Sequence, residues 1–139
     1  MCIRDRDRLD RDLKELAQLS VASQIGCSWC MDFGYYVSRT NGMSRQKLEQ
    51  VATWRESTVF SPLERKVLEY AEAMTATPPT VTDEMVAGLR ADLDDAQVVE
   101  LTSMISVENI RSRTNSALGL TSQGFKAQCD LAGDLPGRA

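Results

Sequence analysis

The sequence contains no histidine, and this absence excludes several kinds of catalytic and metal site. A Ser-His-Asp triad, a Cys-His nucleophile pair and a zinc site built on imidazoles all require histidine, so each of these is excluded. Any chemistry in this chain must therefore use thiols, carboxylates, tyrosines or bound water.

Basic patches and long apolar runs are also missing. The chain has 16 Lys and Arg against 20 Asp and Glu, a net charge of −4, which argues against a nucleic-acid partner. No apolar run approaches the roughly 18 residues that a membrane span needs, so we expect no membrane partner. Residues 3–14 are rich in Arg and Asp and lack the apolar core of a secretory signal. We therefore expect a cytoplasmic protein.

Strict alternation of apolar and polar residues, the mark of a β-strand, is absent as well. Apolar residues recur every three to four positions instead, which predicts helices. Ser61-Pro62-Leu63-Glu64 and Asp94-Asp95-Ala96-Gln97 each have the residues of a helix-starting capping box, and Gly119 fits a helix end. With 139 residues, the chain is predicted to be a single all-α domain, a bundle of five or six helices.

The two ends of the chain are predicted to lie outside this domain. The first six residues, Met-Cys-Ile-Arg-Asp-Arg, resemble the translation of a transposon-end sequencing adaptor, so residues 1–8 are interpreted as a non-native or disordered start. The helical domain is expected over residues 9–126. The segment from Thr121 is polar and is expected to be loose, with residues 127–139 forming a polar tail.

The feature with the clearest chemistry is a CxxC at Gly26-Cys27-Ser28-Trp29-Cys30, preceded by a long uncharged segment. Cysteines three residues apart lie on one face of a helix, so both sulfurs can act together. A helix N-terminus lowers the pKa of a thiol from about 8.5 towards about 7 or below, which on position alone favours Cys27 as the thiolate. Covalent haem is excluded because Met31 follows Cys30, and zinc would need about four ligands. A redox dithiol is favoured over two cysteines that merely pack.

Other candidate residues remain open at this point. Glu15 could be a surface glutamate, or a buried base that accepts a thiol proton directly or through water. Trp29 and Trp54 are interpreted as core or interface packing. Asn115, Arg111 and Arg113 could reach a site or an interface, or simply face solvent.

Several motifs together carry a family resemblance. Lys14-Glu15-Leu16-Ala17 followed by the CxxC, then Phe60-Ser61-Pro62-Leu63-Glu64-Arg65, Tyr70-Ala71-Glu72-Ala73-Met74 and Asn115-Ser116-Ala117-Leu118-Gly119, resembles the carboxymuconolactone decarboxylase-like family. The similarity is to its AhpD-like alkylhydroperoxidase branch, in which a glutamate lies twelve residues before the first cysteine, as Glu15 does here. It covers roughly residues 9–126.

The resemblance implies a thiol-dependent oxidoreductase, a peroxidase that needs no cofactor and no metal. Cys30 would attack a hydroperoxide as the thiolate, Cys27 would resolve the product into a disulfide, and Glu15 would act in the proton relay. A dithiol partner, either a lipoyl protein or a thioredoxin-like protein, would restore the thiols. Family members form trimers or hexamers, so a homo-oligomer is expected.

One position departs from the family pattern. AhpD-like enzymes carry a histidine four residues after the second cysteine, and this chain has Gly34 there. Asp32, Tyr35 or Tyr36 would have to substitute for it in the relay, and Gly34 would open space beside Cys30. The alternatives are a non-catalytic or redox-sensing helical oligomer, or a carboxymuconolactone decarboxylase-type lyase.

Overall fold

The computed structural model describes residues 8–131, and those residues form helices and connecting turns without any β-strand. The predicted all-α, single-domain fold is therefore confirmed, but the predicted number of five or six helices is too low, because the described residues form seven α-helices and a 3-10 helix. The helices are α1 (Arg11–Ile25), α2 (Ser28–Thr40), α3 (Arg45–Gln50), a 3-10 helix (Val51–Glu56), α4 (Pro62–Thr75), α5 (Asp83–Arg90), α6 (Asp95–Ala117) and α7 (Phe125–Leu131). None of them is both long and apolar enough to cross a membrane.

Helix α1 is the central element, packing against α2, α4 and α6. Its N-cap is Asp10, whose carboxylate accepts the Asp12 N–H at 2.9 Å, and its C-cap is Gly26, which has φ of 81°. Such a left-handed end favours glycine, and it turns the chain directly into α2.

The core lies on both sides of α1. One cluster joins Leu13, Ala17 and Val21 of α1 to buried residues of α4 and α6. A second cluster joins Leu16 and Leu19 to the α2–α3 region and to the 3-10 helix. The small, uncharged face of α1 seen in the sequence is thus explained by burial on several sides at once.

The two predicted capping boxes are present. At the start of α4 the Ser61 hydroxyl accepts the Glu64 N–H at 3.2 Å, and the Glu64 carboxylate accepts the Ser61 N–H at 2.8 Å. Asp94 and Gln97 exchange the same two bonds at the start of α6. Each box satisfies two N–H groups that would otherwise lack partners, so these helix starts are fixed locally.

A buried ion pair ties α1 to α6. Lys14 Nζ lies 2.9 Å from Glu100 Oε1, and both side chains are almost fully buried. Glu100 Oε2 also accepts the backbone N–H of Leu9 at 3.0 Å. Removing one partner of such a pair leaves an uncompensated charge in the core, at a typical cost of about 3–5 kcal/mol.

The expectation of a loose segment after Thr121 is wrong for Phe125–Leu131, which form α7 and pack against α2. The physical reason is the Asp32 carboxylate on α2, which binds the N–H groups at the start of α7. The predictions for residues 1–7 and 132–139 lie outside the described residues.

Candidate active site

The CxxC lies at the start of α2. Cys27 caps the helix, and its sulfur accepts the backbone N–H of Cys30 at 3.2 Å. The two cysteines are joined by a disulfide and pack against Ala22 of α1. Cys27 is only 1% exposed, whereas Cys30 is 8% exposed. Cys30 is therefore the sulfur with access to the space beside the helix.

A cavity of about 420 Å³ lies beside Cys30, between α1, α2 and α6. Cys30 lines it and Cys27 does not. Its apolar wall is formed by Leu19, Trp29, Phe33, Val37 and Met104. A volume of this size is typical of sites that bind small molecules, and its mixed lining would hold an apolar body and orient a polar group.

Glu15 lies in the wall of the same cavity and is buried, with 9% exposure. Its Oε1 accepts a hydrogen bond from Asn41 Nδ2 at 2.5 Å. Its Oε2 has no hydrogen-bond partner among residues 8–131. A buried oxygen without a partner is costly for the fold, and such groups often mark functional sites. The structure thus brings Glu15 and Cys30 together.

Helix α6 contributes a third side of the cavity. Met104, Glu108, Arg111 and Asn115 follow one another at helical spacing along its inner face. Asn115 Nδ2 donates a hydrogen bond to Cys30 Sγ at 3.4 Å. The Asn115 amide is thus a cavity-lining side chain that donates directly to the sulfur of Cys30.

The charged groups in the cavity wall are held by one another. Arg111 lies 2.5 Å from Glu108 Oε2 and also donates to Gln18 Oε1 at 3.0 Å. The other oxygen of Glu108 accepts the Ser112 hydroxyl at 2.9 Å. Lys14, as described above, is paired with Glu100. Arg11, the third cation in the wall, donates to the Asn41 carbonyl at 2.9 Å. Two of the three cations are therefore paired with a carboxylate.

Asp32, predicted as a relay substitute, does not line this cavity. Its Oδ2 accepts the N–H groups of Gln123 at 2.8 Å and Phe125 at 3.0 Å, and its Oδ1 accepts that of Lys126 at 2.7 Å. Burial alone would raise the pKa of Asp32. The hydrogen bonds from the α7 start outweigh burial and lower the pKa to about 2, from the ordinary 3.8.

The two tyrosines are also outside the cavity. Tyr35 is buried in the second core cluster, and Lys126 Nζ lies 4.6 Å from the centre of its ring. The Tyr36 ring lies 6.0 Å from that of Phe125 on α7. Neither tyrosine lines the cavity with Cys30, and both take part in the packing of α2 against other elements.

Gly34 does line the cavity, but the space beside its α-carbon is already occupied. A Cβ atom at position 34 would lie 2.8 Å from Cδ2 of Leu19, closer than real Cβ contacts allow. Any larger residue at this position therefore requires the Leu19 side chain to move. In this chain a leucine fills the space next to the position where the family pattern has histidine.

The two tryptophans both pack against other side chains, but they lie in different parts of the molecule. Trp54 is buried in the core and donates through Nε1 to Glu72 Oε1 at 2.7 Å. Trp29 instead lines the cavity next to Cys30 and stacks on Phe33, with ring centres 5.0 Å apart. Trp29 therefore packs as predicted and also forms part of the cavity's aromatic wall.

Asn41 has no signal in the sequence that points to the site, and Asn115 was one of several open candidates. Asn41 caps the end of α2, and an asparagine-glycine pair is typical of a turn rather than of a functional site. For Asn115 a signal existed, because Glu108, Arg111 and Asn115 form a polar stripe at helical spacing on an otherwise apolar helix face. Among residues 8–131, no group of three His, Cys, Asp or Glu side chains is arranged to hold a metal ion.

The sequence matches the model of the carboxymuconolactone decarboxylase family over residues 2–73. The chain belongs to that family. It is 39% identical over 122 residues to the uncharacterised Escherichia coli protein YnjA, covering 88% of this chain and 67% of that protein. It is 30% identical over 112 residues to the uncharacterised Bacillus subtilis protein YdfG, covering 80% of this chain and 76% of YdfG.

The fold also matches a solved AhpD-like structure. A crystal structure of an Agrobacterium tumefaciens protein of unknown function, described as a candidate antioxidant defence protein AhpD, superposes with a TM-score of 0.75. The two sequences are 29% identical, and the match covers 78% of this chain and 75% of the other. The predicted carboxymuconolactone decarboxylase-like, AhpD-like membership is confirmed.

Proposed function

We propose that this protein is a thiol-dependent peroxidase that reduces a hydroperoxide with the Cys27–Cys30 pair. The observation that carries the proposal is the cavity of about 420 Å³ onto which the disulfide opens at Cys30, with buried Glu15 in the same wall. The similarity to an AhpD-like protein agrees with this chemistry. A redox sensor without turnover and a lyase are the alternatives that the experiment below must exclude.

The reaction has two steps on the protein. The Cys30 thiolate attacks the outer oxygen of the hydroperoxide, so an S–O bond forms, the O–O bond breaks and the alkoxide leaves and takes up a proton. Cys30 is then a sulfenic acid. The Cys27 thiol attacks it, an S–S bond forms, and the hydroxyl leaves as water with the thiol's proton. Two electrons pass from the sulfurs to the peroxide.

Glu15 is the proposed proton carrier in the first step. Asn41 holds one of its carboxylate oxygens, and the second oxygen has no partner among the described residues. Such a carboxylate could accept the Cys30 proton, directly or through water, and return it to the departing alkoxide. A positioned acid–base group contributes roughly 10²–10⁴-fold to a rate.

The disulfide must then be reduced by another molecule. We propose a dithiol for this role, either a lipoyl protein or a thioredoxin-like protein, because a dithiol can attack one sulfur and close its own disulfide to release the enzyme. The proposal assigns the reaction to the cytoplasm, where thiols are kept reduced.

A homo-oligomer, a trimer or hexamer, is part of the proposal. It is supported by the outer face of α6 and the turn that follows, where Val99, Ile110 and Leu118 are each more than 60% exposed. Large apolar side chains left exposed along one element often lie at a contact with a partner.

The test is hydroperoxide consumption driven by dihydrolipoamide, compared between wild type, Cys30→Ser and Cys129→Ser. Cys129 is a free cysteine on α7 that does not line the cavity and is not part of the disulfide, so it is a matched control. We expect turnover in wild type and Cys129→Ser and none in Cys30→Ser. No turnover from folded, fully reduced wild type, or equal turnover in Cys30→Ser, would overturn the proposal.

A further inference from the structure

Two sulfurs compete to be the thiolate in a reduced CxxC, and the helix start does not favour Cys30. Cys27 caps α2, and its sulfur already receives the backbone N–H of Cys30 at 3.2 Å. A backbone donor and the positive end of the helix both stabilise negative charge on that sulfur. If these were the only contacts, Cys27 would ionise first, although it is 1% exposed and does not line the cavity.

The contact that favours the other sulfur comes from α6. Asn115 Nδ2 donates to Cys30 Sγ at 3.4 Å, and Asn115 lines the same cavity. We propose that Asn115 positions and stabilises the Cys30 thiolate, so that Cys30 rather than Cys27 is the nucleophile. The inference rests on the proposed function for the identity of the reaction, but its test below uses no peroxide.

The placement of Asn115 is rigid because it lies in the last turn of α6. Its backbone carbonyl accepts the N–H of Leu120 at 2.9 Å, and Gly119, with φ of 72°, makes the left-handed turn that this bond requires. The amide therefore reaches the sulfur from a fixed backbone. A hydrogen bond to a neutral sulfur is weak, but the same donor is worth more once the acceptor carries a charge.

The hydrogen bonds and ion pairs that hold the charged groups of the cavity wall go to partners other than Cys30 Sγ, and Arg111 Nε has no hydrogen-bond partner among residues 8–131. These charged groups come from α1 and α6. Arg11 donates to the Asn41 carbonyl, and Glu15 accepts from the Asn41 side chain. Lys14 is paired with Glu100, and Arg111 is paired with Glu108. Asp32, on α2 itself, binds the start of α7 instead. A negative charge on Glu15 would disfavour ionisation of the Cys30 thiol. A neutral donor such as the Asn115 amide would offset this effect at the sulfur.

The test measures ionisation of Cys30 alone, in a background of Cys2→Ser, Cys27→Ser and Cys129→Ser. The ultraviolet absorbance of the thiolate is followed against pH, and the rate of alkylation is measured in parallel. We expect Asn115→Ala to move the midpoint to higher pH, leaving about 10- to 100-fold less thiolate at a given pH below it. Asn115→Asp removes the donor and adds a like charge, so its midpoint should rise further.

A matched control is available on the same helix. Asn109 is also part-buried on α6, but its Nδ2 donates to Thr75 Oγ1 and to the Ile105 carbonyl. Asn109→Ala should leave the Cys30 midpoint unchanged, even if it lowers stability. An unchanged midpoint in Asn115→Ala, or an equal shift in Asn109→Ala, would overturn the inference.

A second measurement uses the intact cysteine pair in exchange with glutathione. Losing a donor that stabilises the reduced form should favour the disulfide by about tenfold, equivalent to about 30 mV. Asn109→Ala again serves as the control. Because neither measurement needs turnover, a protein that consumes no hydroperoxide could still show both shifts, and the two proposals fail separately.

Discussion

Glu15 and Asp32 are both buried carboxylates close to the CxxC, and they differ in how completely they are hydrogen-bonded. Both oxygens of Asp32 accept N–H groups at the start of α7. Only one oxygen of Glu15 has a partner among the described residues, and the residue lines the cavity of Cys30. Asp32 is two residues from Cys30 in sequence, yet it is Glu15, fifteen residues away, that shares its cavity.

The comparison separates a structural carboxylate from a candidate catalytic one. A carboxylate that accepts several N–H groups stabilises the fold, and because these bonds lower its pKa it stays ionised and does not take up a proton near neutral pH. A buried oxygen without a partner costs stability, which a chain tolerates where the group has another use. Distance along the sequence from a reactive cysteine is therefore a poor guide, and hydrogen-bond occupancy is a better one.

The largest expected effect is on activity in Glu15→Gln. The amide can still accept the Asn41 hydrogen bond, but it cannot take up a proton, so peroxide turnover should fall roughly 10²–10⁴-fold. Stability should change little, because no buried partner is lost. Hydroperoxide consumption and urea unfolding of the same preparations test both statements. Wild-type turnover in this variant would show that Glu15 is not the proton carrier.

Asp32→Asn should give the opposite pattern, with a smaller effect. The Nδ2 group of asparagine would face N–H groups that need an acceptor, so α7 should be held less well and stability should fall by about 1–2 kcal/mol. Turnover should stay close to wild type, because Asp32 does not line the cavity. Urea unfolding gives the first quantity and the dihydrolipoamide assay the second. A large loss of turnover with unchanged stability would contradict this prediction and would indicate that Asp32 takes part in the proton relay.

The stability contribution of Asp32 should also depend on pH. Its pKa is about 2 in the folded protein against an ordinary 3.8, so the folded state favours the ionised form. The contribution is therefore complete above about pH 4 and is lost as the pH falls towards 2. The difference in unfolding free energy between wild type and Asp32→Asn should be constant from pH 5 to pH 8 and shrink below pH 4. A constant difference down to pH 2 would contradict this assignment.

The parts of the fold that the sequence predicts are those determined locally. The starts of α4 and α6 follow from Ser61 and Asp94, because a capping box is complete within four residues. Helix α7 was not predicted, because its start is bound by Asp32, more than ninety residues earlier in the chain. A short polar segment gives no local sign of such a partner.

The site divides in the same way. The CxxC and the glutamate before it are visible as a spacing, and both have a place in the cavity. The role of Asn41 depends on where the end of α2 meets α1, and that of Asn115 on where the end of α6 meets the start of α2, and no spacing encodes either. The occupied space beside Gly34 likewise follows from packing, since it is Leu19 of another helix that fills it.

The most direct test of the account is a single turnover without any reductant. Fully reduced protein is mixed with an equal amount of an organic hydroperoxide, the alcohol product is quantified, and disulfides are mapped by mass spectrometry. The account predicts that alcohol forms in step with a Cys27–Cys30 disulfide, which Trp29 in the cavity wall should report through its fluorescence. Persisting hydroperoxide with all thiols still reduced, or oxidation that ends at Cys129 instead, would contradict it.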